Sequence, residues 1–96
     1  MTVIHMATND ELREAVHAAV KAGKAVLGYN ESLELVRNGT PSMAVVANNA
    51  PEARMAELSH DAKLSGVRLE TFDGDSRELG LICGKPFPVL LLAIRE

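Results

Sequence analysis

The sequence has little of what a disulfide-bonded, metal-binding or aromatic-rich protein contains. Its 96 residues include one cysteine, no tryptophan, one tyrosine and two phenylalanines. One cysteine cannot form an intramolecular disulfide, and such chains are typical of reducing intracellular compartments. The three histidines, His5, His17 and His60, do not follow the spacing of metal ligands. We therefore expect a chain that binds no metal and no cofactor.

Long hydrophobic runs and an excess of positive charge are also absent. The longest apolar run, Val89 to Ile94, is too short to cross a bilayer, and residues 1–6 do not resemble a signal peptide. We therefore expect a cytoplasmic protein without a membrane partner. The formal net charge is −3, from 13 acidic and 10 basic residues. Non-specific binding to phosphates should be weak, so any nucleic acid must be bound through a few well-placed contacts.

No catalytic motif is complete. Ser59-His60-Asp61 contains the residue types of a hydrolytic triad, but neighbours on a helix point in different directions and cannot form a relay. Glu57 and Asp61 share a helix face, where we expect two solvated acids. Glycine-rich nucleotide-binding loops are missing. We expect neither an enzyme nor a small-molecule substrate.

Apolar strands alternate with amphipathic helices along the whole chain. This order predicts one domain over residues 1–96 and a sheet covered on both faces. The second and last strands are continuously apolar, which is typical of strands buried on both faces. The sequence thus predicts a three-layer α/β/α sandwich with a four-stranded mixed sheet. The expected elements are a helix between Thr8 and Gly23 that opens with a capping box, a buried strand at Ala25–Gly28, a helix at Glu31–Asn38, a strand at Met43–Ala47, a helix from Pro51 to Ser65, a half-exposed or edge strand at Val67–Thr71, a helix from Asp75 to Gly84 and a strand at Val89–Ile94.

The junction at Gly28-Tyr29-Asn30-Glu31-Ser32 is the first candidate for a binding site. A glycine allows a ligand or another backbone to come close, and the following helix start offers an amide and a carboxylate. The alternative is that Asn30 only caps the helix, and that the helix dipole favours an acidic residue such as Glu31 in the first turn. The same capping interpretation applies to Asn49 and Asp75. The residues alone leave recognition and capping both open.

The loop Lys85-Pro86-Phe87-Pro88 is the second candidate. Its prolines stiffen it, and Phe87 either stacks on an unpaired base or covers the core. Just before it, Cys83 is expected to be a small buried residue at the end of a helix. Gly80 lies inside that helix, where glycine costs about 1 kcal/mol relative to alanine. Such a glycine predicts close packing against the sheet or a neighbouring loop.

Taken together, these stretches resemble the L-thirty-e family of archaeal and eukaryotic large-subunit ribosomal proteins, which are relatives of the L-seven-Ae kink-turn RNA binders. The resemblance implies the same α/β/α sandwich and a structural, non-catalytic role. Its expected partners are kink-turn ribosomal RNA and neighbouring ribosomal proteins. The alternative is a kink-turn binder of a small ribonucleoprotein, or a paralogue that acts through protein contacts. The stretches that carry the resemblance are Leu27–Ser32, Leu35–Gly39, Ala47–Pro51, Ala62–Gly66 and Glu78–Lys85 with Phe87.

The resemblance also implies site residues. Gly28, Asn30 and Glu31 would approach tandem sheared G·A pairs, while Lys85 and Phe87 would flank a nucleotide turned out at the bend. The full expected RNA-binding set is Gly28, Asn30, Glu31, Ser32, Arg37, Lys85 and Phe87. The chain departs from the family at Glu34, Thr40 and Ser42, where the family tends to carry lysine. Each missing phosphate contact lowers the affinity and its salt dependence.

Overall fold

Four helices alternate with four strands in the predicted order. The computed structural model describes residues 9–95, so the predicted capping residue Thr8 lies outside the described part. None of the helices within residues 9–95 has the length and apolar character needed to cross a membrane. The elements are α1 (Asn9–Lys21), β1 (Ala25–Leu27), α2 (Tyr29–Asn38), β2 (Met43–Ala47), α3 (Glu52–Ser65), β3 (Arg68–Phe72), α4 (Ser76–Ile82) and β4 (Leu91–Ile94).

The four strands form one mixed sheet in the order β1-β4-β2-β3. β2 and β3 are parallel, whereas β4 is antiparallel to both β1 and β2. This confirms the predicted fold class and the edge position of β3. The expectation that β1 is a buried strand is wrong. β1 lies at the other edge of the sheet, and its three residues are only half-buried.

Side chains on the two central strands alternate between two cores. Val45 of β2 and Leu92 of β4 pack with α1 and α4, while Val46 and Leu91 pack with α2 and α3. All four of these side chains are completely buried. Helices therefore cover both faces of the sheet, which explains why β2 and β4 are apolar at successive positions.

Several element boundaries differ from the prediction because the deciding contacts are not local. β4 begins at Leu91 rather than Val89, since Val89 donates its N–H to the carbonyl of Ser76 at 2.9 Å and remains in the loop. β3 is shifted by one residue, to Arg68–Phe72. The predicted end of α3 is confirmed, since Gly66, with φ 73°, follows Ser65, but the helix begins at Glu52, one residue after Pro51.

Asn49 and Asp75 both cap the N-terminus of α4. Asp75 accepts a hydrogen bond from the backbone N–H of Glu78 at 3.0 Å. Asn49 precedes α3, yet its side-chain oxygen accepts from the N–H of Ser76 at 3.0 Å, at the start of α4. The capping alternative therefore holds for Asp75, whereas Asn49 does not cap the helix that follows it. Its amide instead ties the loop after β2 to α4.

The topology gathers four connections at one end of the sheet, which we call the carboxyl end. β1, β2 and β3 all run in the same direction and finish there, and β4 begins there. Gly28 donates its N–H to the carbonyl of Leu91 at 3.2 Å, and Ala47 donates to the carbonyl of Leu90 at 2.8 Å. The loop that carries Lys85 and Phe87 therefore joins the sheet next to the β1–α2 junction.

Candidate nucleic-acid interface

Gly28 connects β1 to α2 in a backbone conformation that requires glycine. Its φ of 111° and ψ of 141° lie where L side chains are rarely found. Its carbonyl accepts the N–H of Ser32 at 3.1 Å and so starts the helix. Among the described residues, a Cβ built at Gly28 would meet only Oε2 of Glu31, at 3.9 Å. The space above the glycine is open to a ligand.

Asn30 and Glu31 are exposed in the first turn of α2. The residue that precedes the helix is Gly28, and no side chain caps it, so the capping alternative for Asn30 is wrong. Within residues 9–95, neither side chain forms a hydrogen bond or an ion pair. The amide and the carboxylate are both available to an external partner.

A shallow groove of about 490 Å³ runs beside these two residues, between α2 and β1. Val26 and Leu35 provide its apolar part. Its charged groups are the carboxylates of Glu31 and Glu34 and the guanidinium of Arg95. The groove therefore carries more negative than positive charge, whereas a phosphate-binding surface is positive. The lining residues are Val26, Asn30, Glu31, Glu34, Leu35 and Arg95.

The structure removes the Ser32 side chain from the predicted RNA-binding set. Ser32 is fully buried, and its hydroxyl donates a hydrogen bond to the carbonyl of Val26 at 2.9 Å. A buried hydroxyl with a backbone partner is a structural feature of the junction. Its role is to hold the first turn of α2 against β1.

Arg37 is used within the protein. Its Nε lies 2.9 Å from Oδ2 of Asp61, and its guanidinium lies 3.8 Å from Oε1 of Glu57. The hydrogen bond to Asp61 raises the pKa of Arg37. The expectation that Glu57 and Asp61 are merely solvated is therefore wrong, because they join α3 to α2. These bonds leave Arg37 less available to a phosphate than its exposure suggests.

The Ser59-His60-Asp61 string forms no catalytic arrangement. Ser59 and His60 are exposed on α3, while the Asp61 carboxylate is paired with Arg37. Within residues 9–95, no group of three or more acidic, histidine or cysteine side chains is placed to hold a metal ion.

The loop of Lys85 and Phe87 presents an apolar surface with positive charges. The Phe87 side chain is half exposed, so its ring does not cover the core. It lines a groove of about 380 Å³, in which Leu81 is also exposed. Lys85 is exposed and forms no ion pair with any residue in the described range. The lining residues are Arg77, Leu81, Lys85, Pro86, Phe87 and Pro88.

Gly80 fixes this loop against α4. A Cβ at Gly80 would collide with the carbonyl oxygen of Phe87 and would lie 3.3 Å from Cα of Pro88. The predicted close approach to a neighbouring loop is confirmed. Cys83 is buried as predicted, and burial raises the pKa of its thiol, although the charge of Lys85 opposes the shift.

The grooves beside Asn30 and Phe87 share no lining residue. The link between them is the hydrogen bond from Gly28 to Leu91. Among the three positions that lack lysine, only Glu34 lines the groove of the junction. Ser42 lies at the opposite end of the sheet, where its hydroxyl donates to the carbonyl of Ile94 at 3.2 Å. Of these three positions, Glu34 is therefore the one whose charge lies in the groove.

Sequence reasoning missed Tyr29 and Arg54. The Arg54 guanidinium carbon lies 4.6 Å from the centroid of the Tyr29 ring. The Tyr29 hydroxyl donates to Oε1 of Glu57 at 3.2 Å. Burial raises the pKa of Tyr29, as does Glu57, while Arg54 opposes them. The only signal in the sequence was that the single tyrosine directly follows Gly28.

Comparison with known proteins agrees with this architecture. Large ribosomal subunit protein eL30 of Methanosphaera stadtmanae is 38% identical over 86 residues, covering 90% of this chain and 88% of the relative. The eL30 protein of Tetrahymena thermophila is 32% identical over 94 residues, covering 98% and 90%. Among solved structures, the Giardia lamblia 15.5kD RNA binding protein superposes with a TM-score of 0.80 at 22% identity, covering 97% of this chain and 80% of that one.

This last similarity establishes the fold. The family follows from the sequence relatives together with a family model that matches residues 10–96. As its sequence predicted, the chain belongs to the ribosomal protein L7Ae/L30e/S12e/Gadd45 family.

Proposed function

We propose that the protein is a structural component of the large ribosomal subunit that binds kink-turn ribosomal RNA and performs no catalysis. The relatives at 38% and 32% identity are named as large ribosomal subunit proteins, and each aligns over most of its own length. The protein would therefore act on cytoplasmic ribosomes. Its partners would be ribosomal RNA and the ribosomal proteins beside it.

The observation that carries the proposal is the pair of exposed polar side chains beside Gly28, Asn30 and Glu31, which form no hydrogen bond or ion pair with any of residues 9–95. The Asn30 amide can donate and accept, and the Glu31 carboxylate accepts hydrogen bonds from guanine N–H groups. In tandem sheared G·A pairs these base edges are exposed. The open space above Gly28 allows such an edge to approach the backbone. RNA is usually recognised at loops and bulges of this kind.

Lys85 and Phe87 supply the second contact region. A half-exposed ring on a stiff loop offers a stacking surface for an unpaired base, worth about 1–3 kcal/mol. The neighbouring ammonium of Lys85 would contact a backbone phosphate. The groove along α4 would then hold the nucleotide that is turned out of the RNA helix at the bend.

The charges near the junction predict that the protein recognises the shape of the RNA more than its phosphate charge. Glu31 and Glu34 place two negative charges beside the groove of the junction, and the net charge of the chain is −3. Because few cations face the RNA, the affinity should depend only modestly on salt. Neighbouring ribosomal proteins would help to hold the subunit site together.

Crosslinking and sequencing of bound RNA in the source cells would test the proposal. We expect large-subunit ribosomal RNA, with crosslinks at an internal loop that contains G·A pairs, and co-sedimentation with large subunits. Crosslinks confined to a small non-coding RNA would instead favour a role in a small ribonucleoprotein. A Glu31→Ala variant that is expressed at the same level is the matched control. Absence of RNA from both proteins would contradict the proposal.

A further inference from the structure

Arg54 differs from the other arginine at the α2–α3 contact. Arg37 lies between two carboxylates, at 2.9 Å from Asp61 and 3.8 Å from Glu57. Arg54 is exposed and forms no ion pair with any residue of the range 9–95. Its positive charge therefore remains available to an outside partner.

The Tyr29 ring holds this guanidinium in place. The guanidinium carbon lies 4.6 Å from the ring centroid, and the ring is itself anchored because its hydroxyl donates to Glu57 at 3.2 Å. The guanidinium also forms a hydrogen bond with Tyr29 that lowers the pKa of the phenol, which fixes one edge of it. Its remaining in-plane N–H groups can still form a fork onto two phosphate oxygens. Stacking also reduces the freedom that the side chain must lose when it binds.

The position of the stack places this charge beside the proposed recognition site. Tyr29 lies between Gly28 and Asn30 in the chain, and α2 and α3 both start at the carboxyl end of the sheet. The charges of Glu31 and Glu34 on the neighbouring turn repel a phosphate. A strand that places a base edge on Asn30 and Glu31 therefore needs a cation close by, and Arg54 is suitably placed.

We propose that the Arg54 guanidinium, stacked on Tyr29, binds a backbone phosphate of the RNA whose bases contact Asn30 and Glu31. This inference rests on the proposed function and adds a residue to it. The competing role for Arg54 is structural, in which the guanidinium only shields the ring from water.

Binding of the purified protein to a kink-turn RNA hairpin with tandem sheared G·A pairs, over a range of salt concentrations, tests this proposal. We expect Arg54→Gln to lower the affinity about tenfold, as for one charge-assisted contact, and to reduce the slope of log K against log salt by about 0.7–0.9. Lys63→Gln, which removes an exposed charge from the last turn of the same helix, is the matched control and should change neither quantity. Arg54→Lys should recover part of the affinity.

Tyr29→Phe and Tyr29→Leu separate the stack from the hydroxyl. The phenylalanine variant keeps the ring but loses its anchor on Glu57, so it should lose little affinity, whereas the leucine variant should lose most of the contribution of Arg54. Equal losses for Arg54→Gln and Lys63→Gln would overturn the proposal in favour of a general charge effect. Loss of binding in Glu31→Ala with none in Arg54→Gln would overturn it and leave the proposed function intact. No preference of the parent for the kink-turn over a matched duplex would overturn the proposed function itself, and this inference with it.

Discussion

The N–H of Gly28 donates to the carbonyl of Leu91 at 3.2 Å, and this bond joins the two loops on which the proposed RNA interface depends. One loop continues into Asn30 and Glu31. The other brings Lys85 and Phe87 from α4 to the start of β4. Both loops flank the β1–β4 strand pair. A substitution that displaces either loop therefore changes the spacing between the two proposed RNA contacts.

Gly80→Ala should destabilise the protein and displace the loop of Phe87. Alanine favours helices over glycine by about 1 kcal/mol, but the added Cβ would collide with the Phe87 carbonyl. Overpacking of this kind costs about 1–3 kcal/mol, which exceeds the gain in helix propensity. Urea unfolding followed by circular dichroism measures the net change.

Gly84→Ala serves as the control for Gly80→Ala. Gly84 has a φ of 71°, but no atom of residues 9–95 lies within 4 Å of an added Cβ, so only backbone strain of about 1–2 kcal/mol is expected. The kink-turn affinity should therefore fall in Gly80→Ala and stay the same in Gly84→Ala. A Gly80→Ala protein as stable as the parent would contradict the packing described here.

Ser32→Ala should lower stability without changing RNA affinity. The buried hydroxyl donates to Val26 at 2.9 Å, and loss of such a bond costs about 1 kcal/mol. Ser42→Ala removes an exposed hydroxyl that also bonds a strand carbonyl, and it should cost less. Chemical unfolding and RNA binding of both variants provide the comparison. A weaker RNA complex of a fully folded Ser32→Ala protein would restore Ser32 to the binding set.

Arg37→Gln should weaken RNA binding far less than Lys85→Gln. The Arg37 charge is balanced by Asp61 and Glu57, whereas Lys85 forms no ion pair within the described residues. We expect a change of about twofold or less for Arg37→Gln, and about five- to tenfold for Lys85→Gln at low salt. Filter binding at two salt concentrations is sufficient. Equal losses would show that Arg37 leaves its ion pairs to contact RNA.

The Cys83 thiol should make stability depend on pH in the alkaline range. Burial raises its pKa, and the charge of Lys85 opposes the shift, so the folded state favours the protonated thiol. This contribution is fully present below the ordinary thiol pKa of about 8.5, and it is lost as the pH rises through the folded-state value. Between pH 7 and pH 10 the parent should therefore lose more stability than Cys83→Ala. Parallel curves for the two proteins would exclude this effect.

Features set by local sequence were predicted well. β2 matches its predicted bounds at Met43–Ala47, because five apolar residues between turn signals define a strand. The ends of α2 and α3 at Gly39 and Gly66 follow from left-handed backbone conformations, which glycine adopts without strain. The alternation of helices and strands was sufficient for the three-layer architecture.

Features set by distant partners were not predictable from one sequence. β1 was expected to be buried because its residues are apolar, but its place at the edge depends on pairing with β4 at the other end of the chain. Arg37 has a polar side chain on a helix, and only the folded structure shows that its partner is Asp61, 24 positions away. The Val26 partner of Ser32 is only six positions away, but it too depends on how α2 packs against β1. The stack of Arg54 on Tyr29 joins residues that are 25 positions apart.

The central claim is that the carboxylate of Glu31 reads the RNA, and its neighbour Glu34 provides an internal control. Both acids line the same groove of α2, so replacing either with alanine removes one negative charge. The most direct measurement is therefore the affinity of the parent, Glu31→Ala and Glu34→Ala for one kink-turn RNA at fixed salt.

We predict that Glu31→Ala loses about 10- to 100-fold in affinity, as expected for a carboxylate that accepts hydrogen bonds from a base. Glu34→Ala should bind as tightly as the parent or more tightly, because it relieves repulsion of the phosphates. If Glu31→Ala instead binds as well as Glu34→Ala, Glu31 does not read the RNA and the account is contradicted.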